Sequence, residues 1–373
     1  MSILDFSTQI NDGLTETSAD GASLAFDSKY GIMFCAYMPG KQGAYGESRG
    51  KIALSYFPAS QPTNIRFITI AEGEDVYCPN ILELGNGRVR VFYERNSRNE
   101  GDHDYCFKDF DFISQTLSDE RMVMIRKETG ALVPYCLSEQ FAYLEKRGLK
   151  NHKCVKTEQI GHCAYFKGND GFVYGAAVSY YSEVILYRSS DFGATVEFFA
   201  AYPHPAQYEF EYKLLNDKIY AIYRTDRERN SIFFTSSCDM GKSWSEPIAF
   251  DDSIQCRPRI LTYNGHILTA CNYYNSDTQN RPEIQQGRTS VRLFLGENPN
   301  PNKNLIVADL YSKCGIVNIS LYDIMNDLYF AYSTSELALE YHNGTPKVRG
   351  KDAVRYVKLG NLIPSKEKCD VIR

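Results

Sequence analysis

Six stretches of the sequence share one pattern, in which two apolar runs flank a short turn rich in Gly, Asn or Asp. They occupy residues 23–38, 81–93, 164–178, 212–223, 260–274 and 319–332. Tyr, Phe, Ile and Val dominate the apolar positions, and these residues favour strands over helices. Because Asn and Gly accept the positive φ that tight turns require, each stretch predicts a β-hairpin.

The turns of these hairpins recur along most of the chain. We take the turn residues to be Gly31, Gly87, Gly171, Asp217, Gly265 and Asp327. Their spacing is 46 to 62 residues, apart from one interval of 84. Further residues typical of strands follow each hairpin, so the repeat predicts four-stranded antiparallel units. Six such units arranged radially make a β-propeller, which leaves few exposed sheet edges. We therefore expect an all-β fold, a six-bladed β-propeller, as a single domain over residues 1–373. A sandwich with a second domain is the alternative, but it would not explain so regular a return of the hairpin.

The long interval predicts an insertion at about residues 116–158, between blades 2 and 3. Leu137, Phe141 and Leu144 recur there at helical spacing, and Gly148 follows them. This pattern predicts a short amphipathic helix with a glycine C-cap. We expect the helix to lie over one face of the propeller. We prefer the interpretation that this helix only packs against the propeller. The alternative is that it serves as a substrate lid.

Two octapeptides 48 residues apart share the pattern Ser-x-Asp-x-Gly-x-Ser/Thr followed by an apolar residue. They are residues 189–196 (SSDFGATV) and 237–244 (SCDMGKSW), and each follows a predicted strand. The spacing of these residues suits a turn in which the Asp carboxylate accepts backbone N–H groups and the Gly adopts a left-handed conformation. The pattern resembles the Asp-box, or BNR repeat, of the sialidase-like β-propellers, and the resemblance covers about residues 20–335. It implies that Asp191 and Asp239 are structural residues at the blade periphery.

The resemblance also implies a catalytic scheme, with three arginines that bind a substrate carboxylate, a Tyr–Glu nucleophile and an Asp acid/base. Arginine suits a carboxylate because its planar guanidinium donates two parallel charged hydrogen bonds. Glu209 or Glu211, followed by Arg224 and later by Arg288, approximates the spacing of the scheme. The position of the first arginine holds Tyr77, and that of the nucleophilic tyrosine holds Asn318. These two departures argue against ordinary retaining sialidase chemistry.

Other candidates come from the starts of the innermost strands, which surround the axial opening of a propeller. The residues predicted there are Tyr77, His162, Glu209 or Glu211, Arg257 or Arg259, and Asn318. His162 is a candidate general acid or base, or else a hydrogen-bonded core side chain. Asp102 is our candidate acid/base within the acidic cluster of residues 100–104, which otherwise reads as a solvated turn. Arg49 lies in a segment similar to that of Arg288 and is a further candidate for binding the substrate.

Composition narrows the class of protein. Lys and Arg total 41 against 46 Asp and Glu, and the net charge of −5 argues against a basic nucleic-acid-binding face. No run of apolar residues is long enough for a membrane span, and the N-terminal residues do not resemble a signal peptide. The 11 cysteines show no CxxC pair, so we expect buried free thiols, no metal, no other cofactor and a cytoplasmic location.

These observations predict a carbohydrate-active enzyme whose partner is a small, anionic oligosaccharide. An exo-acting glycoside hydrolase would use two carboxylates, for which Glu211 and Asp102 are the candidates. The first alternative is a lyase that acts on a uronate by β-elimination, with His162 or a tyrosine as base. The second alternative is a non-catalytic propeller that binds glycans, with an eroded site. The oligomeric state is not indicated.

Overall fold

The predicted hairpins form the two inner strands of six antiparallel sheets in the computed structural model of the chain. The structure describes residues 3, 7–10, 19–39, 50–73, 76–96, 103–149, 165–178, 182–206, 209–225, 227, 229–274, 289–312, 315–335, 338–342, 345–349 and 354–362. Several turns place two successive residues at positive φ, such as Asn86 with Gly87 and Asn264 with Gly265. Such a turn matches the twist of the flanking strands. In the sixth hairpin these residues are Met325 and Asn326, so the predicted turn residue Asp327 instead begins a strand.

The six sheets are the predicted blades, and their strands follow one another along the chain. The N-terminal strand is β1 (Thr8–Gln9). Blade 1 contains β2 (Ala19–Asp27), β3 (Ile32–Pro39), β4 (Lys51–Pro58) and β5 (Arg66–Glu72). Blade 2 contains β6 (Tyr77–Gly85), β7 (Arg88–Asn96), β8 (His103–Asp111), and two short strands beside β8, namely β9 (Thr116–Leu117) and β10 (Arg121–Met122). The insertion then adds β11 (Met124–Arg126), β12 (Leu132–Pro134) and helix α1 (Leu137–Lys146).

The second half of the chain repeats this arrangement. Blade 3 contains β13 (Phe166–Lys167), β14 (Val173–Val178), β15 (Ser182–Ser189) and β16 (Thr195–Ala206). Blade 4 contains β17 (Phe210–Leu215), β18 (Lys218–Arg224), β19 (Ile232–Ser237) and β20 (Ile248–Ala249). Blade 5 contains β21 (Arg259–Tyr263), β22 (His266–Asn272), β23 (Ser290–Leu295) and β24 (Leu305–Tyr311). Blade 6 contains β25 (Gly315–Ile324), β26 (Asp327–Ser335) and β29 (Val354–Gly360), with a hairpin of β27 (Ala338–His342) and β28 (Thr345–Arg349) preceding β29.

The N-terminal strand completes blade 6 and thereby closes the ring of blades. Strand β1 pairs antiparallel with β29, and the N–H of Ile10 donates to the carbonyl of Val354 at 2.8 Å. The hydroxyls of Ser7 and Tyr332 lie 2.9 Å apart. Ile10 is fully buried. Blade 6 therefore takes its outermost strand from the opposite end of the chain, which removes an open sheet edge.

Aromatic side chains fill the spaces between successive blades. The ring centroids of Phe92 in blade 2 and Tyr165, which precedes β13 of blade 3, lie 4.3 Å apart, and both residues are buried. Phe57 in blade 1 packs edge-on against Tyr356 in blade 6 at 5.0 Å. The many Tyr and Phe side chains of the sequence therefore pack between the blades, where their broad rings bury large apolar areas.

The insertion extends the outer edge of blade 3. Strand β11 pairs with β16 in parallel and with β12 antiparallel. The helix predicted from Leu137, Phe141 and Leu144 is present as α1, and Leu137 and Leu144 are buried in the cluster between blades 2 and 3. This arrangement supports the packing interpretation. The hairpin of β11 and β12 lies at the outer edge of this blade, where the backbone of β11 pairs with β16.

The two octapeptides form matching turns between the third and fourth strands of blades 3 and 4. Ser237 Oγ donates to Asp239 Oδ1 at 2.8 Å, and the N–H of Ser243 donates to the same oxygen at 2.9 Å. Asp191 makes the equivalent contacts in blade 3. The indole N–H of Trp244 donates to the carbonyl of Ala201 in blade 3 at 3.3 Å. The expected structural role of both aspartates agrees with this geometry.

Bulges interrupt the innermost strands of blades 2 and 6 close to their starts. The register of the first hairpin of the blade shifts between Tyr77 and Asn80 in β6, and between Val317 and Ser320 in β25. Cys78 and Asn318 adopt positive φ values of 55° and 48° at these bulges. A bulge redirects the side chains that flank it. Within the described residues, no helix has the length and apolar character of a membrane span.

Candidate functional site

Blade 4 brings a glutamate and an arginine together at the start of its inner hairpin. The register of β17 and β18, in which Phe210 pairs with Tyr223, places Glu209 opposite Arg224. The backbone N–H of Arg224 donates to the carbonyl of Glu209 at 3.0 Å. Arg224 Nη1 lies 3.1 Å from Glu209 Oε2, and the two side chains are only 10% and 12% exposed. The side chains therefore form a partly desolvated ion pair at this end of the propeller axis.

A second charged group links blades 4, 5 and 6. Glu211 is 3% exposed and contacts the guanidinium of Arg259, and its Oε1 lies 3.8 Å from Arg257 Nη2. The N–H of Ile260 donates to Glu211 Oε2 at 3.4 Å. Arg259 Nε donates in turn to the carbonyl of Ile319 in β25. One carboxylate thus joins the starts of the inner strands of two blades, and an arginine extends the link to a third.

Arginine and glutamate side chains alternate among the described residues at the starts of these inner strands. Three guanidinium groups, of Arg224, Arg257 and Arg259, lie with two carboxylates, of Glu209 and Glu211. Within the described part of the chain, Arg224 Nε has no hydrogen-bond partner although the side chain is mostly buried. A buried guanidinium is stabilised by an acceptor for each of its N–H groups, and its planar geometry suits a carboxylate. The arrangement is therefore suited to an anionic group such as a carboxylate.

Blade 2 contributes a tyrosine–histidine pair. The phenol oxygen of Tyr77 lies 2.7 Å from His103 Nδ1, and the two rings meet edge to face at 5.7 Å. Both residues are buried, at 1% and 4% exposure, and Tyr77 pairs across the sheet with the fully buried Glu94. A phenol hydrogen-bonded to an imidazole can transfer a proton.

The phenols next to Glu94 remain protonated. Burial, followed by the neighbouring Tyr165, raises the pKa of Tyr105 and of Tyr135 well above the usual value, and the charge of Glu94 adds to the effect. Neither phenol can therefore serve as a base near neutral pH. Within the described residues, no three His, Cys, Asp or Glu side chains are placed to bind a metal ion.

The residues expected from the sequence divide into two sets. Those that the structure describes are Tyr77, Glu209, Glu211, Arg224, Arg257 and Asn318. The structure brings Glu209 to Arg224 and Glu211 to Arg257, and Asn318 is partly exposed at the bulge of β25. Outside the described residues lie Asp102, His162, Arg288 and Arg49.

Sequence reasoning missed His103. It belongs to the acidic cluster of residues 100–104, from which we selected Asp102 as the candidate acid/base. The available signal was its position just before the apolar residues 105–107, which predict a strand, and the register of blade 2 places the start of that strand at the same end of the sheet as the start of β6. The partner of His103 could not be found in this way, because Tyr77 lies on another strand.

Comparison with known proteins shows the fold but no close relative. No protein-family model matches the chain, and no curated protein matches it. The structure is similar to Trypanosoma rangeli sialidase in complex with the inhibitor DANA, with a TM-score of 0.62 and 11% identity over 95% of this chain. This chain spans 58% of the length of that sialidase chain.

Two further structures give the same result. NanB sialidase from Streptococcus pneumoniae has a TM-score of 0.57 and 12% identity, over 94% of this chain and 70% of its own. A Dyadobacter fermentans protein of unknown function has a TM-score of 0.60 and 11% identity, over 96% of this chain and 99% of its own. The fold expected from the resemblance is confirmed: the chain has the six-bladed propeller fold found in sialidases.

Proposed function

We propose that this protein is a carbohydrate-active enzyme, a glycosidase of the sialidase-like type that acts on a small acidic oligosaccharide. The observation that carries the proposal is the buried guanidinium of Arg224 at the start of the inner hairpin of blade 4, whose Nε has no hydrogen-bond partner among the described residues. The carboxylate of an anionic sugar would accept a charge-assisted hydrogen bond from this guanidinium. The similar Trypanosoma rangeli sialidase has been seen in complex with sialic acid, which supports a carbohydrate ligand.

In this proposal Arg224 and Arg288 bind the substrate carboxylate, with Arg49, Tyr77 and Asn318 as further contacts. Hydrolysis needs two carboxyl groups on opposite sides of the scissile bond, one as acid and one as nucleophile or base. Asp102 is the proposed acid. Of the two glutamates, Glu209 is 12% exposed and Glu211 only 3%, so a substrate reaches Glu209 more readily. We therefore propose Glu209 as the second carboxylate, and Glu211, the residue expected from the sequence, as the group that holds Arg257 and Arg259.

The test is hydrolysis of a panel of sialosides and uronosides by the purified protein. Loss of one charge-assisted contact predicts that Arg224→Ala lowers kcat/KM by about 10- to 100-fold. Arg66→Ala is the matched control, because Arg66 is exposed on β5 of blade 1. Equal activity of the two variants would disprove the role of Arg224. Glycan binding without turnover of any substrate would favour the non-catalytic propeller.

A lyase is the second candidate, and the hydrogen bond between Tyr77 and His103 favours it. In β-elimination a base removes the proton at C5 of a uronate, the C4–O bond breaks, and a C4=C5 double bond forms while the leaving oxygen is protonated. Arg224 would neutralise the uronate carboxylate. Tyr77 with His103, or His162, would exchange the protons.

The lyase can be distinguished by its unsaturated product, which absorbs ultraviolet light. Tyr77→Phe keeps the ring and removes the hydroxyl, so it should abolish a lyase reaction in which Tyr77 exchanges the protons, while the folded structure, measured by circular dichroism, is retained; retained elimination would assign the protons to His162. Turnover of uronosides without the ultraviolet-absorbing product would exclude the lyase.

A further inference from the structure

The innermost strand of blade 2 has one residue more than its partner strand near the axial opening. Between the paired positions on either side of the bulge, β6 has two residues, Cys78 and Pro79, and β7 has one, Tyr93. Cys78 adopts a φ of 55°. In a bulge with two residues against one and a left-handed first residue, that first residue is usually Gly. Cys78 therefore occupies a position whose backbone conformation suits a different residue type.

The conformation of Cys78 is strained. A positive φ is uncommon for residues other than Gly, Asn and Asp, and a following proline favours extended backbone instead. The equivalent bulge of β25 has Asn318 at a φ of 48°, which Asn tolerates. Cys78 is only 3% exposed, and its N–H donates to Met38 Sδ at 3.3 Å. Strained backbone that the surrounding structure holds in place is concentrated at functional sites. The strain therefore points to a function of this bulge.

The bulge decides which face of blade 2 carries Tyr77. Directly opposed residues of antiparallel strands point to one face, and successive residues of a strand alternate between faces. His103 pairs with Asn96, and Glu94 lies two residues before Asn96 on β7, so all three share a face. Because of the bulge, Tyr77 pairs with Glu94 and joins this face. In an uninterrupted register Cys78 would pair with Glu94, and Tyr77 would point to the other face.

The hydrogen bond between Tyr77 and His103 depends on this placement. The phenol oxygen lies 2.7 Å from Nδ1, and the two residues are 1% and 4% exposed. Tyr77 belongs to β6 and His103 to β8, and β7 lies between these two strands in the sheet. The side chains can meet across β7 only if both lie on the same face. A shift of one residue at the start of β6 would therefore break the contact.

We propose that Cys78 is a positioning residue, whose left-handed backbone holds Tyr77 on the face of His103 and so forms a pair that exchanges protons with the substrate. The thiol of Cys78 takes no part in the reaction. The role of the pair in proton transfer rests on the lyase candidate of the proposed function. The placement of Tyr77 by Cys78 can be measured without any substrate.

NMR of the whole chain, labelled with ¹⁵N in the histidine rings, tests the proposal. The signals of His103 are those that disappear in His103→Gln, and Tyr77→Phe gives their shifts without the hydrogen bond. Cys78→Val should give the shifts of Tyr77→Phe, because β-branched residues are strongly disfavoured at positive φ. Cys78→Gly removes the thiol but accepts the same φ, so it should keep the wild-type shifts of His103.

Met325→Val is the matched control. Met325 also has a positive φ, of 49°, but it is 92% exposed and lies in the inner hairpin turn of blade 6. This variant should lower the Tm and leave the shifts of His103 unchanged, which separates a loss of stability from a loss of position. Wild-type shifts in Cys78→Val would overturn the proposal. Shifts like those of Tyr77→Phe in Cys78→Gly would also overturn it, and this result decides even if Cys78→Val does not fold.

Turnover separates this proposal from the proposed function. If the protein is a lyase that uses Tyr77, Cys78→Val should lower kcat by about 100-fold or more, as loss of a general acid or base does, with little change in KM. A wild-type protein without elimination activity would contradict the lyase candidate. The shifts of His103 would then still decide whether Cys78 positions Tyr77.

Discussion

Replacement of Glu211 by Gln tests whether buried charge holds blades 4, 5 and 6 together. Gln keeps the shape of the side chain and removes the carboxylate charge that Arg257 and Arg259 both contact. These three side chains are 3–5% exposed, so water cannot replace the lost charge. Removing one partner of a buried ion pair typically costs about 3–5 kcal/mol. We expect the free energy of unfolding to fall by this amount.

The measurement is urea unfolding followed by circular dichroism, with the midpoint and slope compared between variants. Asp327→Asn is the control. Asp327 Oδ2 contacts Lys358 Nζ at 2.5 Å, but the two side chains are 37% and 52% exposed, so its loss should cost no more than about 1 kcal/mol. Added salt should reduce the effect of Asp327→Asn and leave that of Glu211→Gln almost unchanged. A loss for Glu211→Gln as small as that of the control would refute the reasoning about buried charge in the group formed by Glu211, Arg257 and Arg259.

Three further predictions concern stability. Hydrogen bonds, first from the hydroxyl of Ser243, lower the pKa of Asp239 to about 2, so its stabilising effect should disappear as the pH falls from about 4 to 2. The Tm of Asp239→Asn should therefore change less than that of the wild type over this range in scanning calorimetry, and an equal change would contradict the assignment. Arg90→Met should lower the free energy of unfolding by about 2–4 kcal/mol, because the mostly buried Arg90 donates to an Asp carboxylate and to two carbonyls of the motif turn in blade 3. Arg121→Met removes a 52%-exposed contact to the same carboxylate and should cost less than about 1 kcal/mol in the same urea assay, so equal losses would argue against a role of burial. Ile10→Ala should cost about 2–5 kcal/mol in urea unfolding, since the fully buried Ile10 anchors the strand that closes the ring, and a negligible loss would show that this strand adds little.

The blades could be predicted from the sequence because their signals are local. A turn such as Asn264–Gly265 needs two residues that tolerate positive φ, and the apolar runs beside it show where the strands lie. The motif turn around Asp239 is also local, since its hydrogen bonds span only residues 237–243. Closure of the ring of blades could not be predicted from local signals. The two residues of β1 carry almost no pattern of their own, and their pairing with β29 depends on the whole propeller.

The site could be predicted only in part, because its contacts join residues on different strands and blades. Glu211 meets Arg259 of blade 5, and Arg259 reaches Ile319 of blade 6, so no spacing within one hairpin indicates this group. The choice between Glu209 and Glu211 illustrates the point. Both precede Arg224 at nearly the same separation, whereas the register of β17 and β18 places only Glu209 opposite it. The two glutamates lie on the same side of the strand but differ in depth by two residues, about 7 Å along the axis. That difference leaves Glu209 beside the arginine at the axial opening and buries Glu211 between two arginines. If an acidic substrate binds Arg224, we therefore expect Glu209→Gln to lower turnover and to destabilise the fold less than Glu211→Gln does, since Glu209 is the more exposed of the two carboxylates.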